Sequence, residues 1–220
     1  MTRADLRSQA REFAGKIQTL LNQTVADNAR VTAGFVGEER MMAVGANLQL
    51  RDLSTKPIAL LSADKKMRCF LDIQYLLFLE ETSDHYMTVK TSYFGVSGSA
   101  DAKDPFFHYD YERHKAGYTE AHLQVLGENT GLTPIMEVLC AKRKKKSMGE
   151  LHFPVGGRRF RPALEDVLEF LIDEQLVQPK TGWQSALDRT REEFRDIQLR
   201  AAVRQNPDLA RDALKGIPEG

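Results

Sequence analysis

The chain has 220 residues, with 31 Lys and Arg against 31 Asp and Glu, so its formal net charge at pH 7 is zero. This balance excludes a histone-like polycation and an acidic solubilising tail, while 42% hydrophobic residues are enough to build a core. Cys69 and Cys140 show no CxxC spacing, which argues against a disulfide framework or a zinc cluster and fits a reducing cytoplasm.

The first half of the chain changes from a helical to a strand-like pattern. Apolar residues recur at three- and four-residue spacing from Leu6 to Val25, which predicts an amphipathic helix. Beyond Gly34 and Gly37, short runs rich in β-branched and aromatic residues alternate with turn residues, as in antiparallel strands. The predicted strands cover residues 41–44, 48–50, 58–61, 69–79 and 86–94.

A hairpin is predicted in the middle of the chain, with strands at 106–113 and 120–126 around a Lys115-Ala116-Gly117 turn. Its alternation predicts one shared apolar face, because a slip of one residue would turn every apolar side chain to the wrong side. That face carries Phe107, Tyr109, Tyr111, Leu123 and Val125. A short helix capped by Thr133 and a strand at 151–155 are predicted to follow.

Helical spacing returns from Pro162 onward, with further helices starting near Trp183 and Asn206. The sequence therefore predicts an α+β fold, a mostly antiparallel sheet flanked by an N-terminal helix and C-terminal helices. We expect one domain at 1–178 and a helical appendage at 179–220. The longest apolar run, 75–79, is far shorter than the roughly 20 residues of a membrane span, so we expect a cytoplasmic protein without membrane association.

Four of the five histidines fall between residues 108 and 152. Alternation along three neighbouring strands would bring His108, Asp110, His122 and His152 onto one polar face. Imidazoles exchange protons near neutral pH, and a carboxylate fixes their tautomer. Two histidines with Arg113 would suit attack on a phosphodiester, one imidazole as base, the other as acid, and the arginine facing the developing charge.

A non-catalytic interpretation of the same face stays open. An exposed sheet face needs polar residues in any case, and His, Asp, Glu and Gln supply them without chemistry. Metal binding is not predicted, because the sequence contains no HExxH motif and no cysteine partner for the histidines. No cofactor is predicted either, since GxGxxG and GxxxxGK[ST] spacings are missing.

A basic stretch runs from Lys142 to Arg161 and contains the single acid Glu150. It predicts contact with RNA or DNA phosphates, although a solvated loop is the open alternative. The candidate contacts are Lys142, Arg143, Lys144, Lys145, Lys146, Arg158, Arg159 and Arg161.

The stretch HYDYERHKAGYTEAHLQV, followed by ELHFP and LEDVLEFLIDE, resembles the TumE-like toxins of bacterial toxin-antitoxin modules over about residues 85–175. The resemblance implies a protein that acts on nucleic acid or nucleotides and has a helix-turn-helix antitoxin as partner. Two functions are therefore expected as alternatives. One is a metal-independent nuclease-like or nucleotide-modifying enzyme, and the other is a non-catalytic interaction or regulatory module.

Overall fold

A computed structural model describes residues 3–37, 41–64, 68–80, 86–101, 103–117, 119–127, 131–132, 148–155 and 161–215. The predicted α+β class is confirmed, since one antiparallel sheet lies between an N-terminal helix and C-terminal helices. A 3-10 turn spans Met148–Glu150. The helices are α1 (Arg3–Thr24), α2 (Leu164–Asp173), α3 (Trp183–Gln205) and α4 (Pro207–Leu214). The strands are β1 (Val31–Phe35), β2 (Met41–Ala46), β3 (Ile58–Ala59), β4 (Phe70–Leu79), β5 (Met87–Ser97), β6 (Pro105–Glu112), β7 (Ala121–Val125) and β8 (Phe153–Pro154).

The sheet is a meander in which each described strand pairs antiparallel with its neighbour. Its order is β1-β2-β4-β5-β6-β7-β8, with β3 beside the start of β4. Short connections suffice for such a sheet, because each strand runs back along the preceding one. The long strands β4 and β5 lie at its centre and are apolar on the side that faces the helices.

The core lies between α1, α2 and this helix-facing side of the sheet. The apolar stripe of α1 is fully covered, with Ala10 and Leu21 each 0% exposed. Phe13 of α1 contacts Tyr75 of β4 edge to face, at 4.9 Å between ring centroids. Leu168 of α2 is likewise 0% exposed. The spacing that predicts these helices therefore corresponds to the buried face of each one.

Two details of the first half differ from the sequence prediction. Residues 48–50 form no strand, because Asn47 adopts a left-handed φ of 46° and starts a turn. Strand β1 was not expected, since Gly34 resembled a break in the pattern. A Cβ atom on Gly34 would lie 2.7 Å from Leu50 Cδ2. The glycine therefore lets the loop after β2, which contains Leu50, approach β1 closely.

The first turns of α3 belong to the same core, where Ala186 and Leu187 are buried. Arg191 forms ion pairs with Asp166 and Glu169 of α2, so ion pairs as well as apolar packing hold α3 against α2. Beyond this point α3 and α4 contain no buried residue, and the domain boundary after residue 178 stays a prediction. None of the helices in the described ranges combines the length and the apolar composition that a membrane span requires.

Candidate functional site

The hairpin of β6 and β7 has the predicted faces. Tyr109 pairs with Leu123, and Asp110 pairs with His122. Residues directly opposite each other in an antiparallel pair project to the same side of the sheet. The apolar residues of the hairpin therefore share the helix-facing side, and the histidines share the opposite side.

One carboxylate connects two of the predicted histidines. Oδ2 of Asp110 lies 3.3 Å from Nε2 of His108 and 3.7 Å from Nε2 of His122. The side chains of His108 and His122 are 15% and 3% exposed, whereas that of Asp110 is 35% exposed. The Asp110 carboxylate is thus more exposed to solvent than either of the two imidazoles.

The protonation of His108 at Nε2 follows from its neighbour Gln124. Nε2 of Gln124 donates to Gly149 O at 2.7 Å, and this carbonyl can only accept. The other amide atom of Gln124, Oε1, must then accept from Nε2 of His108 at 2.9 Å. The 3-10 turn, which lies inside the basic stretch in sequence, therefore holds the His108 imidazole in place through Gln124.

His122 takes the opposite tautomer in its neutral form. Its Nδ1 lies 3.3 Å from the carbonyl oxygen of Thr119, which can only accept, so Nδ1 carries the proton. Nε2 of neutral His122 is then the basic nitrogen and faces Asp110. His152 joins the cluster at a ring-centroid distance of 4.5 Å from His122.

The two histidines around Asp110 have pKa values displaced in opposite directions. Burial lowers the pKa of His122, and this outweighs the charge of Asp110, which raises it. Burial also lowers the pKa of His108, but its bonds to Asp110 and Gln124 and the charge of Asp110 raise the pKa above its usual value. Two imidazoles whose pKa values are displaced in opposite directions therefore lie at one carboxylate.

The structure extends this face toward β4 and β5 by two residues that the sequence did not single out. The ring centroid of Tyr93 lies 5.3 Å from that of His108, and burial raises the pKa of Tyr93 to about 12, with the charges of Asp72 and Asp110 adding to the effect. Oδ1 of Asp72 and Nδ1 of His108 are buried without hydrogen-bond partners. A carboxylate in an apolar strand, Leu71-Asp72-Ile73, is the sequence signal that could have marked this position.

Arg113 is the predicted site residue that the structure does not bring to the cluster. Its Nε donates to Val89 O at 3.2 Å and its Nη2 to Thr88 Oγ1 at 2.9 Å. Gly95, the cross-strand partner of His108, is six residues from Val89, which corresponds to about 20 Å along an extended strand. Arg113 therefore anchors the far end of β5 and does not face the histidines.

Of the basic residues in the basic stretch, the structure describes only Arg161. Arg161 contacts Tyr111 and Phe194 on the helix-facing side of the sheet, so it also lies away from the histidines. The short helix expected from Thr133 lies outside the described residues. So do the candidate phosphate contacts Lys142, Arg143, Lys144, Lys145, Lys146, Arg158 and Arg159.

Within the described part of the chain, no group of three or more His, Cys, Asp or Glu side chains has the arrangement to hold a metal ion. The known proteins offer no further guide to this site. Comparison with family models gave no match, and neither the curated proteins nor the solved structures include a significant relative of this chain.

Proposed function

We propose that this protein is a histidine-dependent enzyme that cleaves phosphodiester bonds of nucleic acid or nucleotides. One observation carries the proposal: His108 and His122 flank Oδ2 of Asp110 with pKa values displaced in opposite directions. Groups whose environments separate their pKa values in this way are suited to act as acid and base in one reaction.

The proposed reaction assigns the base to His122 and the acid to His108. Nε2 of neutral His122 accepts the proton of an attacking hydroxyl as the new oxygen–phosphorus bond forms. Protonated His108 supplies the proton to the leaving oxygen as its bond to phosphorus breaks. Gln124 orients the ring of His108 and the Thr119 carbonyl orients that of His122, while Asp110 stabilises whichever of the two rings is charged. Asp110 and His152 are more exposed than His122, so the substrate is expected to approach from their side.

A phosphate substrate also needs positive charge, which Arg113 does not provide at this position. The basic residues 142–146 support the proposal, because they precede Gly149 by only a few residues in sequence. The carbonyl of Gly149 accepts a hydrogen bond from Gln124, which is also the hydrogen-bond partner of His108. Lys and Arg binding phosphates near the histidines would act on any sequence, since the backbone is common to all nucleic acids.

The test is a cleavage assay on RNA, single-stranded DNA, duplex DNA and cyclic nucleotides in the presence of a chelator. His122→Ala should lower kcat by about 100- to 10,000-fold, the usual contribution of a positioned acid or base, with KM nearly unchanged. His114→Asn is the matched control. His114 is an exposed histidine of the same hairpin, and Asn tolerates its left-handed φ of 60°. Equal turnover by wild type and His122→Ala would refute the proposal.

We also propose that the enzyme is the toxin of a two-protein module, with a helix-turn-helix antitoxin as partner. The support is the resemblance of residues 85–175 to TumE-like toxins. Expression of the wild-type chain in bacteria should then arrest growth, and His122→Ala should relieve the arrest. Growth arrest by both wild type and His122→Ala would show that the arrest does not depend on His122.

A non-catalytic interaction module is the second candidate, and the C-terminal helices favour it. Several of their large apolar side chains are more than half exposed, and such surfaces often contact partners. This function predicts that replacing Ile197 and Val203 by Asp abolishes the cellular effect while His122→Ala preserves it. The exposed residues are Ile197, Leu199, Val203, Leu209 and Leu214, at 55–69%.

A further inference from the structure

Arg161 lies between the sheet and α3, on the side opposite the histidines. Its guanidinium carbon is 6.0 Å from the ring centroid of Tyr111 in β6 and 5.2 Å from that of Phe194 in α3. Tyr111 pairs with Ser92, and Ser92 pairs with Tyr75, which faces the core. The arginine is therefore held by aromatic rings under the helices.

This guanidinium lacks the partner that a covered cation usually has. Nη1 of Arg161 is buried and has no hydrogen-bond partner. Among the described residues, no carboxylate forms an ion pair with it; Glu165 contributes only a longer-range attraction. An arginine carries five N–H donors and stays charged in proteins. Burying the guanidinium without an oxygen acceptor is unfavourable, because the charge loses its hydration and gains no hydrogen bond or ion pair in exchange.

The surroundings of Arg161 suit an anion. Burial lowers the pKa of its guanidinium, interactions with Tyr75, Tyr111 and Glu165 partly offset this effect, and the charge of Arg113 lowers the pKa as well. Arg113 thus adds positive potential at Arg161, whereas Glu165 adds negative potential. The rings of Tyr111 and Phe194 lie against the guanidinium carbon, and neither residue accepts a hydrogen bond from Nη1. Arg161 as a whole is partly exposed, although its Nη1 is buried.

We propose that Arg161 anchors a second binding site, on the helix-facing side of the sheet, for the carboxylate or phosphate group of a small molecule. Arg113 adds positive charge to this site. Asp110 and Tyr111 are neighbours in β6 and project to opposite sides of the sheet. A ligand at Arg161 is therefore separated from His108 and His122 by the sheet itself, and the site does not depend on the phosphodiesterase proposal.

The experiment compares thermal unfolding in chloride, acetate and inorganic phosphate at equal ionic strength, for wild type and Arg161→Gln. Phosphate raises the Tm of most proteins by exclusion from their surface, so the measured quantity is the difference between the two chains. A site on the native state should give wild type an additional, saturable rise in Tm, because ligand binding stabilises as RT ln(1 + [L]/Kd). Arg161→Gln should show only the general effect.

Arg191→Gln is the matched control, since Arg191 bonds Asp166 and Glu169 and should not bind added anions. An additional rise in Tm with phosphate alone identifies a phosphate site. A rise with acetate alone identifies a carboxylate site, and a rise with both anions identifies a general oxyanion site. Equal responses of wild type and Arg161→Gln to both anions would overturn the proposal. If Arg161→Gln does not fold, the same anions are titrated into wild type and the Nε–Hε resonance of Arg161 is followed. A resonance that stays unchanged would equally reject the site.

Discussion

Tyr93 folds back over Gly95 in β5, and its hydroxyl occupies the space that a Cβ atom on Gly95 would need. The two residues are separated by one position, so both project to the histidine side of the sheet. Gly95 is also the cross-strand partner of His108. Because Gly95 has no side chain, the ring of Tyr93 can lie beside His108. Gly95 pairs with Asp72 on one side and with His108 on the other, so Tyr93 lies between Asp72 and the histidine cluster.

Gly95→Ala should therefore displace Tyr93 from His108 and destabilise the protein. Overpacking of this kind costs about 1–3 kcal/mol in free energy of unfolding, which urea denaturation measures. Gly15→Ala is the control, because Gly15 lies in α1 with nothing near its Cβ position. This control should stabilise by about 1 kcal/mol through helix propensity. A Gly95→Ala protein as stable as wild type would show that Tyr93 is not held in this position.

The two histidines at Asp110 should make stability depend on pH in opposite senses. His108 has a raised pKa in the folded state, so its contribution is present below the unfolded pKa of about 6.5 and is lost as pH rises through the folded value. His122 has a lowered folded pKa, so unfolding takes up a proton and stability is lost as pH falls below about 6.5. Together these two groups favour a stability maximum near pH 6.5.

Melting curves between pH 5 and 8.5 test this dependence. His122→Gln should reduce the decline on the acid side, and His108→Gln should reduce the decline on the alkaline side. Asp110→Asn should lower the pKa of both imidazoles, since the carboxylate raises each of them, and NMR titration of the ring protons would measure it. Unchanged titration in Asp110→Asn would contradict the shared-carboxylate arrangement.

Two large apolar residues of α3 should respond differently to truncation. Leu187 is 1% exposed in the core, and Leu187→Ala should cost about 2–5 kcal/mol of unfolding free energy because it leaves a cavity. Ile197 is 60% exposed, and Ile197→Ala should change stability by about 0.5 kcal/mol or less. Chemical denaturation of both variants compares them directly. A large loss for Ile197→Ala would mean that another surface covers it in solution.

Sequence alone was sufficient for the faces of the hairpin. Alternation along β6 and β7 separates Tyr109 and Leu123 from His108 and His122, and the register follows because only one pairing buries every apolar residue. It could not show that both imidazoles share Asp110, since the distances depend on rotamers and on the Gly149 contact. The same holds for Tyr93, whose place beside His108 depends on a glycine two residues away.

The arginines show a second limit of sequence reasoning. Arg113 follows directly after β6, and alternation alone does not show that its guanidinium bonds Val89 and Thr88 at the end of β5. Arg161 belongs by composition to a basic stretch, but its side chain lies among Tyr111 and Phe194. Local charge predicts cations that contact phosphates or solvent, whereas the side chain of Arg161 lies between the sheet and α3.

The proposed contact of the basic stretch with nucleic acid predicts a strong dependence on salt. Each phosphate neutralised by Lys or Arg releases condensed counterions, so log K should fall by about 0.7–0.9 per contact for each unit of log salt concentration. Replacing Lys144, Lys145 and Lys146 by Gln should lower both the affinity and this slope. Filter-binding titrations of RNA and DNA at several salt concentrations measure the two quantities together.

The control for that experiment changes the net charge equally at another place. Arg200, Arg204 and Arg211 are exposed cations of the C-terminal helices, and replacing all three by Gln also removes three positive charges. If the basic stretch binds phosphates locally, this control should keep the wild-type salt slope. Equal losses in both triple variants would indicate a general charge effect. No binding by wild type at low ionic strength would reject nucleic acid as the substrate, because the electrostatic contribution is largest there.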